Sequence, residues 1–202
     1  MMNLTSILKF ARFYQLYQWL VGAHKYQHLF TNEYICYQSG QKVLDIGCGP
    51  ADILNILPTN VDYTGIDISE NYILKAKQTW PDKTFIQGDI ADCEFPVDDN
   101  SFDTVIFIGV QHHVPNEVVA QMLRFAYRKL KNGGRMLSLE PVYTEKQGVL
   151  ERFIMGSDRG KFIRTADEYQ MLTNQVFSDN RYEIIRGTMN IPFTIMITEA
   201  EK

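Results

Sequence analysis

Short apolar runs that end in glycine or aspartate recur at a nearly constant interval, and no other feature constrains the fold as tightly. Gly47, Asp67, Asp89 and Gly109 stand 20, 22 and 20 residues apart, the length of one strand, one helix and their turns. The runs themselves read as strands: Lys42 to Ile46, Tyr63 to Asp67, Thr84 to Ile86, Phe102 to Ile108 and Arg135 to Leu139. Phe102 to Ile108 is apolar at nearly every position, as a strand covered on both faces must be. The intervening segments have helical signals. Asp52 to Leu57 reads as a helix stopped near Pro58, and Ser69 is placed to cap a helix through Tyr72, Ile73 and Ala76. Asn116 is placed to cap another, with Val119, Met122, Leu123, Ala126 and Leu130 on one face; Asn132-Gly133-Gly134 ends it. Strands alternating with helices imply an α/β domain with a mostly parallel sheet. At 202 residues the chain has the size of one domain, residues 1–202.

Both ends depart from this repeat. Residues 3–30 read as an aromatic amphipathic helix (Phe10, Phe13, Tyr14, Tyr17, Leu20, Val21), so that residues 1–35 form an N-terminal cap. That cap either packs on the core or closes over a ligand, and Tyr14, Tyr17 and Tyr26 are its pocket-lining candidates. Too few cations mark its polar face for a membrane-surface helix. Residues 142–164 show no period and read as an insertion covering substrate. Their Arg152, Arg159, Lys161 and Arg164 either bind an acidic acceptor or form a solvated loop. Thr165 caps a helix through Tyr169, Leu172 and Val176, and Tyr182–Arg186 with Phe193–Thr198 reads as a hairpin on the sheet edge.

Composition narrows the function classes. Lys+Arg 20 against Asp+Glu 24 gives a net charge of −4 without a basic tract, which speaks against a nucleic-acid partner. Cys36, Cys48 and Cys93 form no C-x-x-C pair and no zinc spacing, so no metal site is expected and a reduced, cytoplasmic setting is. No apolar run of about 18 residues is present for a membrane span.

The chemistry concentrates in Val43-Leu44-Asp45-Ile46-Gly47-Cys48-Gly49-Pro50-Ala51-Asp52, a strand entering a glycine turn and then a helix. Such a turn lets the backbone approach a ligand and presents amides to an anion. A pyrophosphate loop would carry a third glycine where Asp52 stands, and Asp45 and Asp52 would repel it. A zwitterion suits better: its carboxylate takes the amides and its ammonium takes Asp45 or nearby carbonyls.

These residues resemble the first motif of class I S-adenosylmethionine-dependent methyltransferases. Gly65-Ile66-Asp67-Ile68-Ser69, Gln87-Gly88-Asp89-Ile90, Phe95-Pro96-Val97-Asp98-Asp99-Asn100-Ser101-Phe102-Asp103, and His112-His113-Val114 with Leu130-Lys131-Asn132-Gly133-Gly134-Arg135 are similar to that family's later motifs, in order, over about residues 40–140. Together they resemble its ubiquinone-methyltransferase-like (type-11) branch, which acts mainly on small molecules. Two positions depart from the pattern: Ala51 stands for a third glycine and Asn132 for a proline. Ala51 reads as a minor crowding, and Asn132 as a residue that tolerates the left-handed conformation.

The resemblance implies a three-layer Rossmann-like sandwich with seven strands in the order 3-2-1-4-5-7-6, strand 7 antiparallel. It implies S-adenosyl-L-methionine as cofactor and S-adenosyl-L-homocysteine as product. It implies cofactor contacts at Asp45, Gly47, Cys48, Gly49, Asp67, Ile68, Asp89, Ile90, Ile108 and Gly109. Asp67 would hold the ribose diol, Asp89 and the Ile90 amide the adenine, and Ile108 and Gly109 the methionine ammonium. His113 is the candidate base, over the crevice, with His112 turned to solvent or to the first helix. The Asn/Asp-Pro-Pro-aromatic pattern of amide or nucleobase methylation is absent after strand four, so a small-molecule oxygen or carbon acceptor is favoured. The rivals are an RNA methyltransferase, a non-catalytic binding protein on the same fold, and an NAD-dependent dehydrogenase.

Overall fold

The computed structural model describes residues 22–90, 95–157 and 160–202. Five strands form the parallel part of the sheet: β1 (Lys42–Ile46), β2 (Asp62–Asp67), β3 (Thr84–Gln87), β4 (Phe102–Ile108) and β5 (Leu130–Tyr143). The two-residue β6 (Arg164–Thr165) pairs with the end of β5, and β7 (Asp179–Arg186) and β8 (Thr194–Glu201) complete the sheet. The main path is β3-β2-β1-β4-β5-β8-β7. With the short β6 set aside, this is the expected order. β8 alone runs antiparallel to its neighbours β5 and β7, and the hairpin inserts β8 inside while β7 takes the edge.

The side-chain alternation of β1 divides the core. Val43 packs on one face with Leu54, Tyr63, Ile73, Leu137 and Ile197. Leu44 and Ile46 pack on the other with Ile66, Phe107, Leu123 and Phe125. A central strand buried on both faces therefore needs apolar residues at successive positions, and only Asp45 breaks the run.

Five helices are found among the described residues: α1 (Ala23–Leu29, continued by a wider turn over Phe30–Ile35), α2 (Glu70–Thr79), α3 (Asn116–Lys129), α4 (Val149–Gly156) and α5 (Ala166–Asn174). Ser69 caps α2 through the Tyr72 amide, and Thr165 with Glu168 forms a reciprocal capping box on α5. Both caps match the sequence reading.

Four local expectations are corrected. Asp52–Leu57 is no α-helix but a single tight turn, Asp52–Asn55; a segment this short before Pro58 cannot offset the cost of helix nucleation. Pro115, not Asn116, occupies the cap of α3, because the Asn116 side chain is used elsewhere, accepting from Arg164 Nε at 2.8 Å. The left-handed residue after α3 is Gly133 (φ 74°) rather than Asn132. The stretch 142–164 contains α4, which sequence periodicity missed because Val149, Leu150 and Phe153 all lie exposed. Phe10, Phe13, Tyr14, Tyr17, Leu20, Val21, Cys93 and Arg159 lie outside the described residues. Tyr26 packs against the first core cluster.

Candidate active site

The carboxyl ends of the parallel neighbours β2, β1 and β4 lie side by side at one edge of the sheet, where open α/β sheets place their ligands. The β1 turn is pinned to β2: the amides of Gly47 and Cys48 both donate to the Ile66 carbonyl, at 2.8 and 3.0 Å. Gly47 has φ 76°, and a Cβ there would stand 2.3 Å from Val110 Cγ2, so only glycine lets the turn pack against the segment after β4. Gly49 differs. Its φ is 54°, yet a Cβ would meet nothing within 4 Å. One glycine serves close packing and the other faces open space. Ala51, read from the sequence as a minor crowding, is fully buried at φ 59° and so carries left-handed backbone strain of roughly 1 kcal/mol.

Asp67 ends β2 and ties the turns together. Its Oδ2 accepts from the Gly49 amide and its Oδ1 from the Ser69 amide, both at 2.8 Å. Each oxygen retains a second lone pair, so the carboxylate is preset and can still accept from a diol. Ile68, beside it, is 65% exposed despite its apolar side chain. Asp89 and Ile90 follow β3 and are partly buried. Ile90 packs its side chain on the second core cluster. Cys48 is buried, and burial pushes its thiol well above the ordinary range, so it acts here as a small apolar filler.

Asp45 is 2% exposed. Tyr63 Oη donates to its Oδ2 at 2.7 Å, while its Oδ1 is buried with no hydrogen-bond partner. Burial, with a further contribution from Asp67, pushes its carboxyl up to about 7 against the Tyr63 bond, which acts the other way. Burial also raises the Asp52 carboxyl, partly opposed by Lys75. A buried carboxylate oxygen without a hydrogen-bond partner, with Asp67 close enough to push the Asp45 carboxyl up further, suits a cationic group better than a pyrophosphate. This set therefore fits a ligand with an ammonium and a sulfonium, and fits NAD poorly.

On the other wall, Ile108 and Gly109 end β4, with the Gly109 amide held by Leu139 O at 2.8 Å. The two histidines follow in a tight turn, Gln111–His113. The expectation for His112 is overturned: it turns inward, not to solvent, 4% exposed, with Nδ1 2.7 Å from Glu140 Oε2. The cause is Glu140, a carboxylate buried in the C-terminal half of β5 that bonds the ring. His113 is exposed, its ring centroid 4.0 Å from that of His112. Arg164 is likewise neither solvated nor open to an acidic acceptor. It is buried, with its guanidinium bonded to Asn116 Oδ1 and the carbonyls of Gln111, Phe162 and Val114. Arg152 donates to Thr144 O, and Lys161 is exposed. Glu140 escaped the sequence reading. Its signal was a lone acid closing the apolar run Met136-Leu137-Ser138-Leu139 before Pro141.

A family profile described as "Methyltransferase domain" matches residues 43–134, the span that carries the glycine turn, Asp67, Asp89 and the histidine turn. A demethylmenaquinone methyltransferase of Staphylococcus epidermidis is 31% identical over 163 residues, covering 74% of this chain and 66% of the relative. The chain belongs to the class I S-adenosylmethionine-dependent methyltransferases. A demethylmenaquinone methyltransferase of Staphylococcus aureus is 31% identical over 154 residues, 70% of this chain and 62% of the relative. The chain thus spans a little under two thirds of the length of these curated relatives. Solved structures agree on the fold. A TehB-like methyltransferase from Corynebacterium glutamicum superposes with TM-score 0.66 at 17% identity, over 99% of this chain and 100% of that one. A Haemonchus contortus phosphoethanolamine N-methyltransferase, solved with S-adenosylhomocysteine, superposes with TM-score 0.67 at 16% identity, over 92% of this chain and 56% of that one. Among the described residues no group of three or more acids, histidines or cysteines is arranged to hold a metal ion, and no helix is long and apolar enough to cross a membrane.

Proposed function

We propose that the chain transfers a methyl group from S-adenosylmethionine to a small quinone-type or hydroxylated aromatic acceptor, at oxygen or carbon. The observation that carries the cofactor half is the glycine turn after β1 held by the Asp67 carboxylate, together with a buried Asp45 Oδ1 that has no hydrogen-bond partner. In this reading Asp45 takes the ammonium, with Ile108 and Gly109 beside it. The Gly47-Cys48-Gly49 turn takes the carboxylate, Asp67 the ribose diol, and Asp89, Ile68 and Ile90 the adenine. The cofactor supplies an activated methyl group on a sulfonium. The chain supplies alignment and, for a hydroxyl acceptor, a base at His113. As the new bond forms, the hydroxyl proton passes to the His113 ring. The demethylmenaquinone methyltransferases support the acceptor class.

Asp67→Ala tests the ribose contact. It is expected to weaken S-adenosylhomocysteine binding by about 1–3 kcal/mol, the scale of hydrogen bonds to a charged group, or about ten- to a hundredfold. Calorimetry giving the wild-type affinity would remove Asp67 from the site. The covering role of residues 142–164 has its own test. Val149, Leu150 and Phe153 expose their apolar side chains on α4, an arrangement suited to an apolar acceptor. Hydrogen exchange across residues 142–157 is expected to slow when cofactor and reduced demethylmenaquinone are both added. Exchange unchanged by both would reduce α4 to plain packing.

A further inference from the structure

The turn that carries His113 has two main-chain hydrogen bonds of its own, from the His113 amide to Val110 O (3.1 Å) and from the Val114 amide to Gln111 O (3.3 Å). Most of its remaining main-chain groups are satisfied by two buried charged side chains from other strands. From β5, Glu140 Oε1 accepts from the amides of Val110 (3.0 Å) and Gln111 (2.9 Å), and Oε2 lies 3.3 Å from the His112 amide and 2.7 Å from His112 Nδ1. One carboxylate thus gathers three successive amides and an imidazole. From β6, Arg164 takes the opposite side, donating to the carbonyls of Gln111 (2.9 Å) and Val114 (2.8 Å), and to Phe162 O (3.0 Å). Both residues are nearly inaccessible, Glu140 at 1% and Arg164 at 4%. A buried acid and a buried base are expensive in isolation, and hydrophobic residues in their places would satisfy none of the turn's polar groups.

The geometry also links this turn to the covering segment. The Phe162 amide donates to His112 O at 3.0 Å. A Cβ on Gly160 would stand 2.0 Å from His112 Cδ2, so residue 160 is glycine where the segment lies on the ring. On its other side, His112 meets His113 at 4.0 Å between ring centroids. His112 is therefore the spacer between Glu140 and the exposed ring of His113.

We propose that Glu140 is the positioning residue for the acceptor side of the site, holding His113 in place through His112, and that Arg164 fixes the same turn from its carbonyl side. The proposal rests on the assignment of His113 to the acceptor. It explains why a carboxylate is buried within the C-terminal half of β5, and why a cation in the covering segment is buried rather than offered to ligand.

The test is Glu140→Gln, which keeps the shape but replaces one acceptor oxygen by a donor facing N–H groups. Three readouts separate positioning from general stability. Hydrogen exchange at residues 110–112 is expected to quicken at least tenfold while β1 and β2 stay protected. The ¹⁵N ring signals of His113 are expected to shift or broaden. S-adenosylhomocysteine affinity is expected to stay within about twofold. With reduced demethylmenaquinone as the acceptor probe, kcat is expected to fall about ten- to a hundredfold in the wild-type background. It is expected not to fall further in a His113→Ala background, because a residue that acts through His113 has nothing left to position. Arg164→Lys, which retains the charge but not the fork of donors, is expected to loosen the same turn and serves if Glu140→Gln fails to fold. Unchanged exchange and ring signals at the turn would overturn the proposal. So would an equal loss of kcat from Glu140→Gln in both backgrounds. If the probe is not methylated, the acceptor assignment falls, and the exchange and ring-signal readouts still decide for or against Glu140.

Discussion

Asp45→Asn is expected to make the ligand-free protein more stable at pH 8 and at the same time to weaken its grip on S-adenosylhomocysteine at least a hundredfold. Both effects follow from one buried carboxylate. Asp45 has one oxygen bonded to Tyr63 and the other without a partner. Its carboxyl is raised from 3.8 to about 7. Between those values the folded chain holds a proton that the unfolded chain has released, so stability falls as pH rises, by up to about 1.4 kcal/mol per unit. Above about pH 7 the folded chain carries the full burden of a buried, half-satisfied charge. Asparagine removes that charge and still accepts from Tyr63. Thermal melts of both proteins from pH 5 to 8.5 are therefore expected to diverge as pH rises, with the variant higher. The affinity loss reflects the missing partner for the ligand ammonium, about 3 kcal/mol for a charge-assisted contact at a buried site. A variant that melts lower than wild type at pH 8, or that binds S-adenosylhomocysteine as tightly, would show that Asp45 is a structural acid only.

His113→Ala is expected to lower turnover about 10²- to 10⁴-fold with a hydroxyl acceptor, the range of a positioned general base, and to leave cofactor affinity nearly unchanged. The residue is exposed in the turn Gln111–His113 that follows β4. In wild type the rate is expected to decline toward acid pH as the imidazole takes up a proton. That limb is expected to vanish in the variant. Retention of most turnover at pH 7 would mean that alignment alone drives the reaction, or that the acceptor is a carbon or an already ionised oxygen.

The parts of this account that were legible in the sequence are those set by local chemistry. The α/β class with a mostly parallel sheet followed from apolar runs at a constant spacing, whereas the strand order followed from the resemblance to the methyltransferase family. The glycine turn and Asp67 were legible because backbone approach and a preset carboxylate each demand particular residues. What escaped was long-range. Glu140 and His112 are 28 residues apart in the chain and 2.7 Å apart in space, and nothing local marks such a pair. Arg164 looked like one of several loop cations, and only the carbonyls of residues 111, 114 and 162 around it reveal its role. Helix α4 was hidden because its apolar residues face outward, so the burial that normally produces a helical period is missing.

The central claim is that the crevice between Asp45 and Asp67 is built for S-adenosylmethionine, and calorimetric titration tests it most directly. S-adenosylhomocysteine and NAD, each titrated into the wild-type protein and into Asp45→Asn at pH 7.5, give the comparison. The expected result is saturable one-to-one binding of S-adenosylhomocysteine to wild type, its near loss in the variant, and no heat from NAD in either. Binding of NAD to wild type, or S-adenosylhomocysteine binding that survives Asp45→Asn undiminished, would contradict it.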